Sequence, residues 1–338
     1  MKDAHRLPTW EGPKPDEVGE TVEDFLQKLG RPSLLWFPGK DSSRTRAFST
    51  LLHGNESSGV RALHRWIKEG HEPAVNLLCF IGVVHAILTE PFFSTRSVPG
   101  WRDLNRCFRP PFEGPDGAIA ESLLLEFRSV KPEALIDVHN TSGRSPAYGV
   151  TTRGGRQQEF LTSLFSDHLV VTDLQLGALM EATEHDWPTV TIECGGANNH
   201  LSHEVAYQGF ARYASAESLQ HATPGVTVVH HPLRVEIRPG STIVYGTERR
   251  AGTDLCLPLD VDLFNFGILT FQDSLGWVGP KGLDVLYTKD AQGCDRSREI
   301  FSIHEQTLRL VKPSRIMMAT TRQDIAQSDC LFYVLPVQ

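Results

Sequence analysis

The chain has 338 residues, of which 40% are apolar and 22% charged, so it is too apolar for a disordered protein and long enough for two domains. Its net charge of −8 argues against a general surface for nucleic acid or an anionic membrane, but it permits a local basic pocket for a small anionic substrate. The six cysteines are widely spaced and form no C-x-x-C, which excludes a zinc ribbon and a disulfide-rich scaffold.

The first residues, MKDAHRLPTWEGPKPDEVGE, contain no apolar core of the kind that secretory signals carry. The longest apolar run, Val75 to Leu88, is interrupted by Asn76, Gly82 and His85 and is too short to span a bilayer. We therefore expect a cytoplasmic protein with neither a membrane nor a nucleic-acid partner. The sequence leaves a homo-oligomer open.

Helices and strands alternate along residues 21–223, after a polar N-terminal arm at 1–20 that is rich in Pro and Glu. Apolar residues at helical spacing predict the helices, and short apolar or β-branched runs predict the strands. The predicted helices are 21–29, 57–68, 117–129, 160–165 and 203–213, and the predicted strands are 45–52, 75–88 with its loop, 134–138, 169–171 and 189–192. This alternation predicts βαβ units and a mostly parallel sheet.

The pattern changes at about Pro224, where helical periodicity nearly disappears. Short strand-like runs take its place, many of them separated by Gly, Pro and Asp. They are 226–229, 233–237, 241–244, 261–264, 267–271, 285–286, 307–311 and 332–335. Residues 224–338 are therefore predicted to form a separate all-β domain.

The segment His53-Gly54-Asn55-Glu56 follows the first predicted strand of the alternating region and precedes a helix. Residues three apart on a helix lie about 5–6 Å from each other, so His53 and Glu56 can face one metal ion. A strand-to-helix turn at the carboxyl edge of an open α/β sheet is also where ligands bind in such folds. A loop histidine beside a capping glutamate fits these four residues equally well.

His139 follows the buried strand 134–138 and precedes a turn, so it is expected at the same kind of edge. With His53 and Glu56 it completes two imidazoles and one carboxylate. These are the three protein ligands of a catalytic zinc site whose fourth position stays open for water. A surface loop histidine remains the alternative for this residue alone.

Glu193 ends the apolar strand Thr189–Ile192 and is followed by Cys194-Gly195-Gly196. The two glycines leave backbone room for a substrate, and burial would raise the pKa of a carboxyl there toward that of a general base. The competing interpretation is a glutamate that emerges into solvent at a turn.

A fourth segment, Trp101 to Phe108, places Arg102, Asp103, Asn105 and Arg106 close together. An arginine fork with an asparagine can clamp a carboxylate, and an aspartate beside a zinc-bound histidine can orient the second ring nitrogen. A charged loop held by internal ion pairs explains this segment, taken alone, better than a binding site does.

The four motifs HGNE, DLNR, DVHNT and TIECGG, in this order, resemble the succinylglutamate desuccinylase/aspartoacylase family, a relative of the zinc carboxypeptidases. The resemblance covers roughly residues 45–215 and implies a three-layer α/β/α carboxypeptidase-like domain with a mixed, mostly parallel sheet, followed by a C-terminal all-β domain.

The resemblance also implies roles for individual residues. It implies one zinc ion (Zn2+) bound by His53, Glu56 and His139, with Glu193 as general base. It further implies that Asn105 and Arg106 bind a substrate carboxylate, and that Asp103 supports a zinc-bound histidine.

Two positions depart from the family pattern. Val98 stands where members usually carry the arginine that stabilises the oxyanion, which leaves Arg96 and Arg102 as the nearest candidates. Thr183 lies in the region where aspartoacylase-like members carry an arginine for a second carboxylate, and Arg153 is the candidate substitute. The acyl group and the amino acid of the substrate are therefore not inherited.

The sequence favours a zinc-dependent amidohydrolase that removes an acyl group from a small N-acylated amino acid or related carboxylate, with the β domain narrowing the site. Two alternatives stay open. One is a zinc carboxypeptidase that acts on peptides, and the other is a metal-binding metabolite sensor without turnover.

Overall fold

The structure, a computed structural model, describes residues 7–88, 90–173, 175–219, 225–290 and 292–337. The chain divides into two compact units. The first unit ends at Val229 and leaves out the short segment Thr141–Pro146, whereas the second consists of that segment and the chain from His230 onward. The predicted boundary between residues 223 and 224 lies outside the described residues.

A nine-stranded sheet forms the centre of the first unit. Its strands are β1 (Thr9–Glu11), β2 (Ser33–Phe37), β3 (Asp41–Thr50), β4 (Val75–Ile81), β5 (Leu135–Thr141), β6 (Tyr148–Thr151), β7 (His168–Val171), β8 (Thr189–Gly196) and β9 (Thr227–His230). Their order across the sheet is β1-β2-β4-β3-β5-β8-β6-β7-β9. Strand β3 runs parallel to β4 and β5, whereas β6 runs antiparallel to β8, so the sheet is mixed and mostly parallel.

Helices cover both faces of this sheet. They are α1 (Val22–Leu29), α2 (Ser58–Lys68), α3 (Val84–Ile87), α4 (Gly114–Val130), α5 (Arg156–Ser163), α6 (Leu179–Thr183) and α7 (His200–Ser215). Side chains alternate along β4: Leu77 and Cys79 enter the core cluster that α1, α2, α5 and α7 share, while Leu78 and Phe80 enter the cluster that contains α4 and α6. The predicted three-layer α/β/α architecture is therefore confirmed.

The carboxyl ends of β3, β5 and β8 meet at one edge of the sheet. Strands β3 and β5 are parallel neighbours. Two hydrogen bonds join β5 to β8 and the residue before it: Leu135 N donates to Pro188 O at 2.9 Å, and Asn140 Nδ2 donates to Gly195 O at 2.9 Å. Because the residue numbers rise together in these two pairs, β5 and β8 run in the same direction. Polar residues that follow these three strands are thereby brought together.

Helix α2 packs closely on the strands beneath it at Gly59. A Cβ at this position would lie 2.2 Å from Thr50 Oγ1 on β3 and 2.9 Å from Val138 Cγ1 on β5. Only glycine fits there, and the close approach fixes the start of the helix directly after the HGNE turn.

The second unit contains two five-stranded sheets around its own apolar core. Its strands are β10 (Leu233–Ile237), β11 (Ile243–Tyr245), β12 (Leu255–Leu257), β13 (Ile268–Leu269), β14 (Gly276–Val278), β15 (Leu286–Lys289), β16 (Phe301–His304), β17 (Thr307–Leu310), β18 (Ser314–Met317) and β19 (Phe332–Pro336). Two short helices, α8 (Ser297–Ile300) and α9 (Gln323–Ser328), accompany them. The β-rich character expected for this part of the chain is confirmed.

Three details differ from the sequence-based expectation. Residues Thr9–Glu11 of the predicted arm form β1, which pairs with β2 at the edge of the large sheet. The run 226–229 was expected in the β domain, but β9 belongs to the large sheet, where Thr227 N donates to Asp167 O at 2.7 Å. The run Val261–Phe264 is a 3-10 helix, because its first two residues are both buried and so do not alternate as a strand requires.

Among the described residues, none of the helices combines the length and the apolar character that crossing a bilayer requires.

Candidate metal centre

Three buried side chains converge at the carboxyl edge of the large sheet. One potential ligand atom from each of His53, Glu56 and His139 lies within 4.8 Å of the other two. His53 Nδ1 is 2.9 Å from Glu56 Oε1, and His139 Nδ1 is 2.8 Å from Glu56 Oε2. The two Nδ1 atoms are 3.2 Å apart. All three donors face one another, as the ligands of a single ion do.

A carboxylate contacts the outer nitrogen of each imidazole. Asp103 Oδ1 lies 2.9 Å from His53 Nε2, and Asp137 Oδ2 lies 2.9 Å from His139 Nε2. At His139 this acceptor fixes the proton on Nε2 and leaves the Nδ1 lone pair free to bind a metal, whereas His53 Nε2 also lies 2.8 Å from Arg96 Nη2, which is a donor. Asp103 was a candidate for this contact. Asp137 was not, although its position two residues before His139 on a strand places both side chains on one face.

The cluster strongly favours positive charge between its carboxylates. Burial alone would raise the pKa of Glu56, but the charges of His53 and His139 hold it well below its usual range. Burial would lower the pKa of His139, yet Asp137 and Glu56 hold it well above. Carboxylates surround the two imidazoles, so two imidazoles and a carboxylate in this environment suit a divalent ion.

Glu193 on β8 lies beside this cluster. Its Oε2 atom is buried and has no partner among the described residues. Burial and the nearby charge of Glu56 raise its pKa to about 7, while the charges of His139 and His53 act in the opposite direction. A carboxyl that titrates near neutrality and has a free acceptor atom can take up a proton from a neighbouring group.

Arg96 reaches the cluster from the loop before DLNR. Its Nη1 is 3.3 Å from Glu56 Oε1, and its Nη2 is 3.0 Å from Asp103 Oδ2. Burial would raise the pKa of Asp103, but His53 and Arg96 hold it well below its usual range. Of the two arginines proposed in place of Val98, Arg96 is the one whose guanidinium the structure brings to the cluster.

No protein-family model matches the sequence, and no curated protein resembles it in sequence. Solved structures do resemble its fold. Succinylglutamate desuccinylase from Vibrio parahaemolyticus superposes with a TM-score of 0.57 at 14% identity, covering 88% of this chain and 82% of that one. A succinylglutamate desuccinylase/aspartoacylase from Rhodobacter sphaeroides gives 0.55 at 12% identity, with 91% and 88% covered.

The ectoine utilization protein EutE (DoeB) from Ruegeria pomeroyi, in a product-bound structure, gives a TM-score of 0.56 at 14% identity, with 90% of this chain and 88% of that one covered. The chain has the fold of the succinylglutamate desuccinylase/aspartoacylase family. The resemblance that the four motifs suggested is thus confirmed at the level of the fold.

Asn105 and Arg106, the candidates from the sequence for binding a substrate carboxylate, follow Asp103 in the DLNR motif. Asn105 is buried, and its Oδ1 accepts from Leu179 N at 2.9 Å. Arg106 is half-buried, and its Nη1 donates to Asn105 O at 3.0 Å. The charge of Arg106 also helps to lower the pKa of Asp103, so this guanidinium lies within electrostatic range of the cluster.

Arg102 contacts residues at the start of α4, and none of its described contacts is to the cluster. Its Nη2 donates to Glu113 O at 2.8 Å, and its Nε lies 3.9 Å from Asp116 Oδ2, at the start of α4. About half of its side chain is exposed. Its position therefore fits the charged-loop interpretation rather than a substrate contact.

Arg153 lies toward the edge of the sheet opposite to the cluster. Tyr148 at the start of β6 pairs with Glu193, and Val150 pairs with Thr191, so β6 runs away from the cluster. Arg153 follows the far end of β6, about 17 Å along the strand direction from Tyr148 at 3.3 Å per residue. At that edge Arg153 Nη1 lies 2.6 Å from His185 Nδ1. The antiparallel strand before Arg153 lends no support to a contact with a second carboxylate, and that role stays a prediction.

Proposed function

We propose that the protein is a zinc-dependent amidohydrolase that removes the acyl group from a small N-acylated amino acid or a related carboxylate. The observation that carries the proposal is the convergence of two imidazole Nδ1 atoms and a carboxylate beside a buried, unpartnered glutamate oxygen. His53, Glu56 and His139 would hold one Zn2+ per chain. Zinc bound there would supply a water of lowered pKa and a Lewis acid for the amide carbonyl.

Glu193 is the proton carrier in this proposal. Its carboxylate would accept a proton from the attacking water and then donate that proton to the leaving nitrogen. Its Oε2 is buried, which limits the access of bulk water to that oxygen.

Arg96 would stabilise the negative charge that develops on the carbonyl oxygen, and Arg106 would bind the substrate carboxylate. Arg96 is anchored by Asp103 and Glu56 at the cluster, where negative charge develops on the carbonyl oxygen. Arg106, with one described hydrogen bond to a backbone carbonyl, has further N–H donors for a substrate carboxylate. This assignment makes the partner a small anion rather than a nucleic acid or a membrane, in keeping with the net charge of −8.

Proteins with this fold carry names that refer to succinylglutamate, to aspartoacylase and to ectoine utilization. The fold therefore supports an acyl-amino-acid hydrolase without selecting the acyl group. We propose that the reaction takes place in the cytoplasm, where small amino-acid conjugates are turned over.

The test is a hydrolysis screen of the zinc-loaded protein against a panel of N-acyl amino acids, with the metal-free protein as control. We expect one zinc per chain and release of a free amino acid that stops when the metal is chelated. Cleavage of peptides alone would favour the carboxypeptidase alternative. Stoichiometric zinc with no hydrolysis of either class would favour a non-catalytic metabolite sensor and contradict the proposal.

A further inference from the structure

Asn140, which follows His139 at the end of β5, uses both N–H donors and the oxygen of its carboxamide for hydrogen bonds inside the protein. Its Oδ1 accepts from Ser58 N at 3.0 Å. Its Nδ2 donates to Ser58 Oγ at 2.8 Å and to Gly195 O at 2.9 Å. The side chain is only 4% exposed, so water does not compete for these bonds.

These bonds connect two segments that carry different parts of the site. Ser58 is the first residue of α2 and lies two positions after Glu56. Gly195 lies on β8 two positions after Glu193 and has a left-handed φ of 97°. The backbone of Asn140 adds a third link, because its N–H donates to Glu56 Oε2 at 3.2 Å.

The position of the Glu193 side chain depends on the backbone contacts made by Asn140 more than the positions of the other site residues do. The cluster side chains hold one another, but the Oε2 atom of Glu193 has no partner among the described residues. Its placement beside the cluster therefore comes from the backbone of β8. The contact between Asn140 and Gly195 holds that backbone where the strand ends.

Only a carboxamide satisfies both segments at once. It accepts from a backbone N–H and donates to a backbone carbonyl, whereas a carboxylate of the same shape cannot donate. An aspartate at 140 would also place a negative charge near Glu56 and Glu193. Alanine would leave the carbonyl of Gly195 and the N–H of Ser58 without this partner.

We propose, on the basis of the hydrolase function above, that Asn140 is a positioning residue. Its carboxamide ties the strand end that carries Glu193 to the start of α2 behind Glu56, and so fixes the base beside the ligand cluster. Asn140 acts through Glu193 and does not itself contact the reacting atoms.

The test compares Asn140→Ala with Asn76→Ala. Asn76 is also buried, accepts from Gly39 N at 3.0 Å and donates to Ser42 O at 2.9 Å, but it lies at the start of β4, away from the cluster. We expect Asn140→Ala to bind one zinc and to lose about 10–100-fold in kcat, the usual range for partners of metal-site residues. We expect its KM to change less than about 3-fold. Asn76→Ala should keep its kcat.

A double-mutant cycle separates positioning from general destabilisation. In a Glu193→Gln background, Asn140→Ala should cost less than about 2-fold further, because the residue it positions is already disabled. A loss as large as in the wild-type background, or an equal loss in Asn76→Ala, would overturn the proposal.

Amide hydrogen exchange of the zinc-loaded protein tests the same link without any substrate. Asn140→Ala should raise exchange in residues 193–197, whereas Asn76→Ala should not. Unchanged exchange there would overturn the link even in an active enzyme. Absence of hydrolysis by the wild-type protein would contradict the proposed function, while the exchange comparison would still decide the role of Asn140.

Discussion

At the scale of single residues, Glu193 differs from its neighbours because it lies at the cluster without being one of the converging ligands. Its pKa of about 7 results mainly from burial and then from the charge of Glu56. Both causes are local, so substituting this one side chain tests the proposed proton transfer without removing any of the three proposed ligands.

We expect Glu193→Gln to keep the fold and the bound zinc and to lose at least about 100-fold in kcat, because glutamine cannot accept the proton. Steady-state kinetics and elemental analysis of the same sample measure both quantities. A nearly normal kcat in this variant would exclude Glu193 as the base.

The same carboxyl predicts a pH effect on the stability of the metal-free protein. Its folded pKa of about 7 exceeds the ordinary value of 4.5. The folded state then binds more protons than the unfolded state between these values, so its contribution to stability falls as pH rises through that window. Glu193→Gln removes this cost. The free energy of unfolding of the variant, relative to that of wild type, should therefore be on the order of 1–3 kcal/mol higher at pH 8 than at pH 4.5.

Urea unfolding in the presence of a chelator measures that difference. Glu121→Gln, which replaces an exposed carboxyl on α4, is the matched control and should show no such pH-dependent gain. A parallel pH dependence in wild type and Glu193→Gln would mean that the Glu193 carboxyl is not perturbed.

Arg106→Ala should raise KM for a carboxylate substrate at least about 30-fold, since losing one partner of a desolvated charge pair costs roughly 2 kcal/mol or more. Its melting temperature should change little, because Arg106 makes a single described hydrogen bond, to a neighbouring carbonyl. Arg102→Ala is the control: its guanidinium contacts Glu113 and should leave KM unchanged. A collapsed melting temperature with unchanged KM would show that Arg106 is structural.

At the scale of secondary-structure elements, the packing of α2 on β3 and β5 determines where Glu56 lies. Alanine is normally favoured over glycine within a helix, by roughly 0.5–1 kcal/mol. At position 59, however, a Cβ would lie 2.2 Å from Thr50 Oγ1 and would force the helix away from the sheet.

We therefore expect Gly59→Ala to destabilise the protein by about 1–3 kcal/mol, as overpacking does, and to weaken zinc binding through Glu56. Chemical unfolding and a zinc competition titration measure the two effects. Gly225→Ala is the control, since among the described residues no atom beyond its chain neighbours lies within 4 Å of a Cβ at that position. Equal stability of the two variants would show that α2 can shift without cost.

The sequence was sufficient for the elements around the cluster. Helix 57–68 and the strands around 45–52, 134–138 and 189–192 all occur, because their apolar spacing reflects burial that the sequence records directly. Those elements alone place His53, His139 and Glu193 at strand ends.

Apolar spacing in the sequence does not reveal the direction of a strand or the path of a loop. Arg153 was a candidate because it is an arginine near the motifs, and only the antiparallel pairing of β6 with β8 shows that it lies at the other edge. Arg96 is selected over Arg102 by the course of the loop before DLNR, which no local spacing determines. Asp137, by contrast, was readable from its i, i+2 relation to His139.

At the scale of the whole molecule, the residues that converge on the cluster all belong to the first unit, whereas the second unit has a core of its own. Binding of zinc to the folded state only should stabilise the first unit by RT ln(1 + [Zn]/Kd), about 2.7 kcal/mol at 100 times Kd.

We expect chelation to lower the melting temperature and to raise amide exchange in core peptides of the first unit, such as those of β4 and β5. Peptides of β10 and β19 serve as the internal reference. Calorimetry and exchange mass spectrometry measure the two effects. An equal rise in exchange in both units would mean that they unfold as one.

The contacts of the segment Thr141–Pro146 determine when this segment can pack during synthesis on the ribosome. Arg144 donates to Asp262 Oδ2 through its backbone N–H at 2.9 Å, across 118 positions of sequence, and a side chain at Gly143 would collide with Ala319 O. At about 5–20 residues per second, the loop directly after His139 waits on the order of 6–24 s for Asp262 to be synthesised. A fragment that ends at residue 229 would carry this segment without Asp262, and a fragment that begins at residue 230 would lack the segment, so the second unit would be incomplete in both.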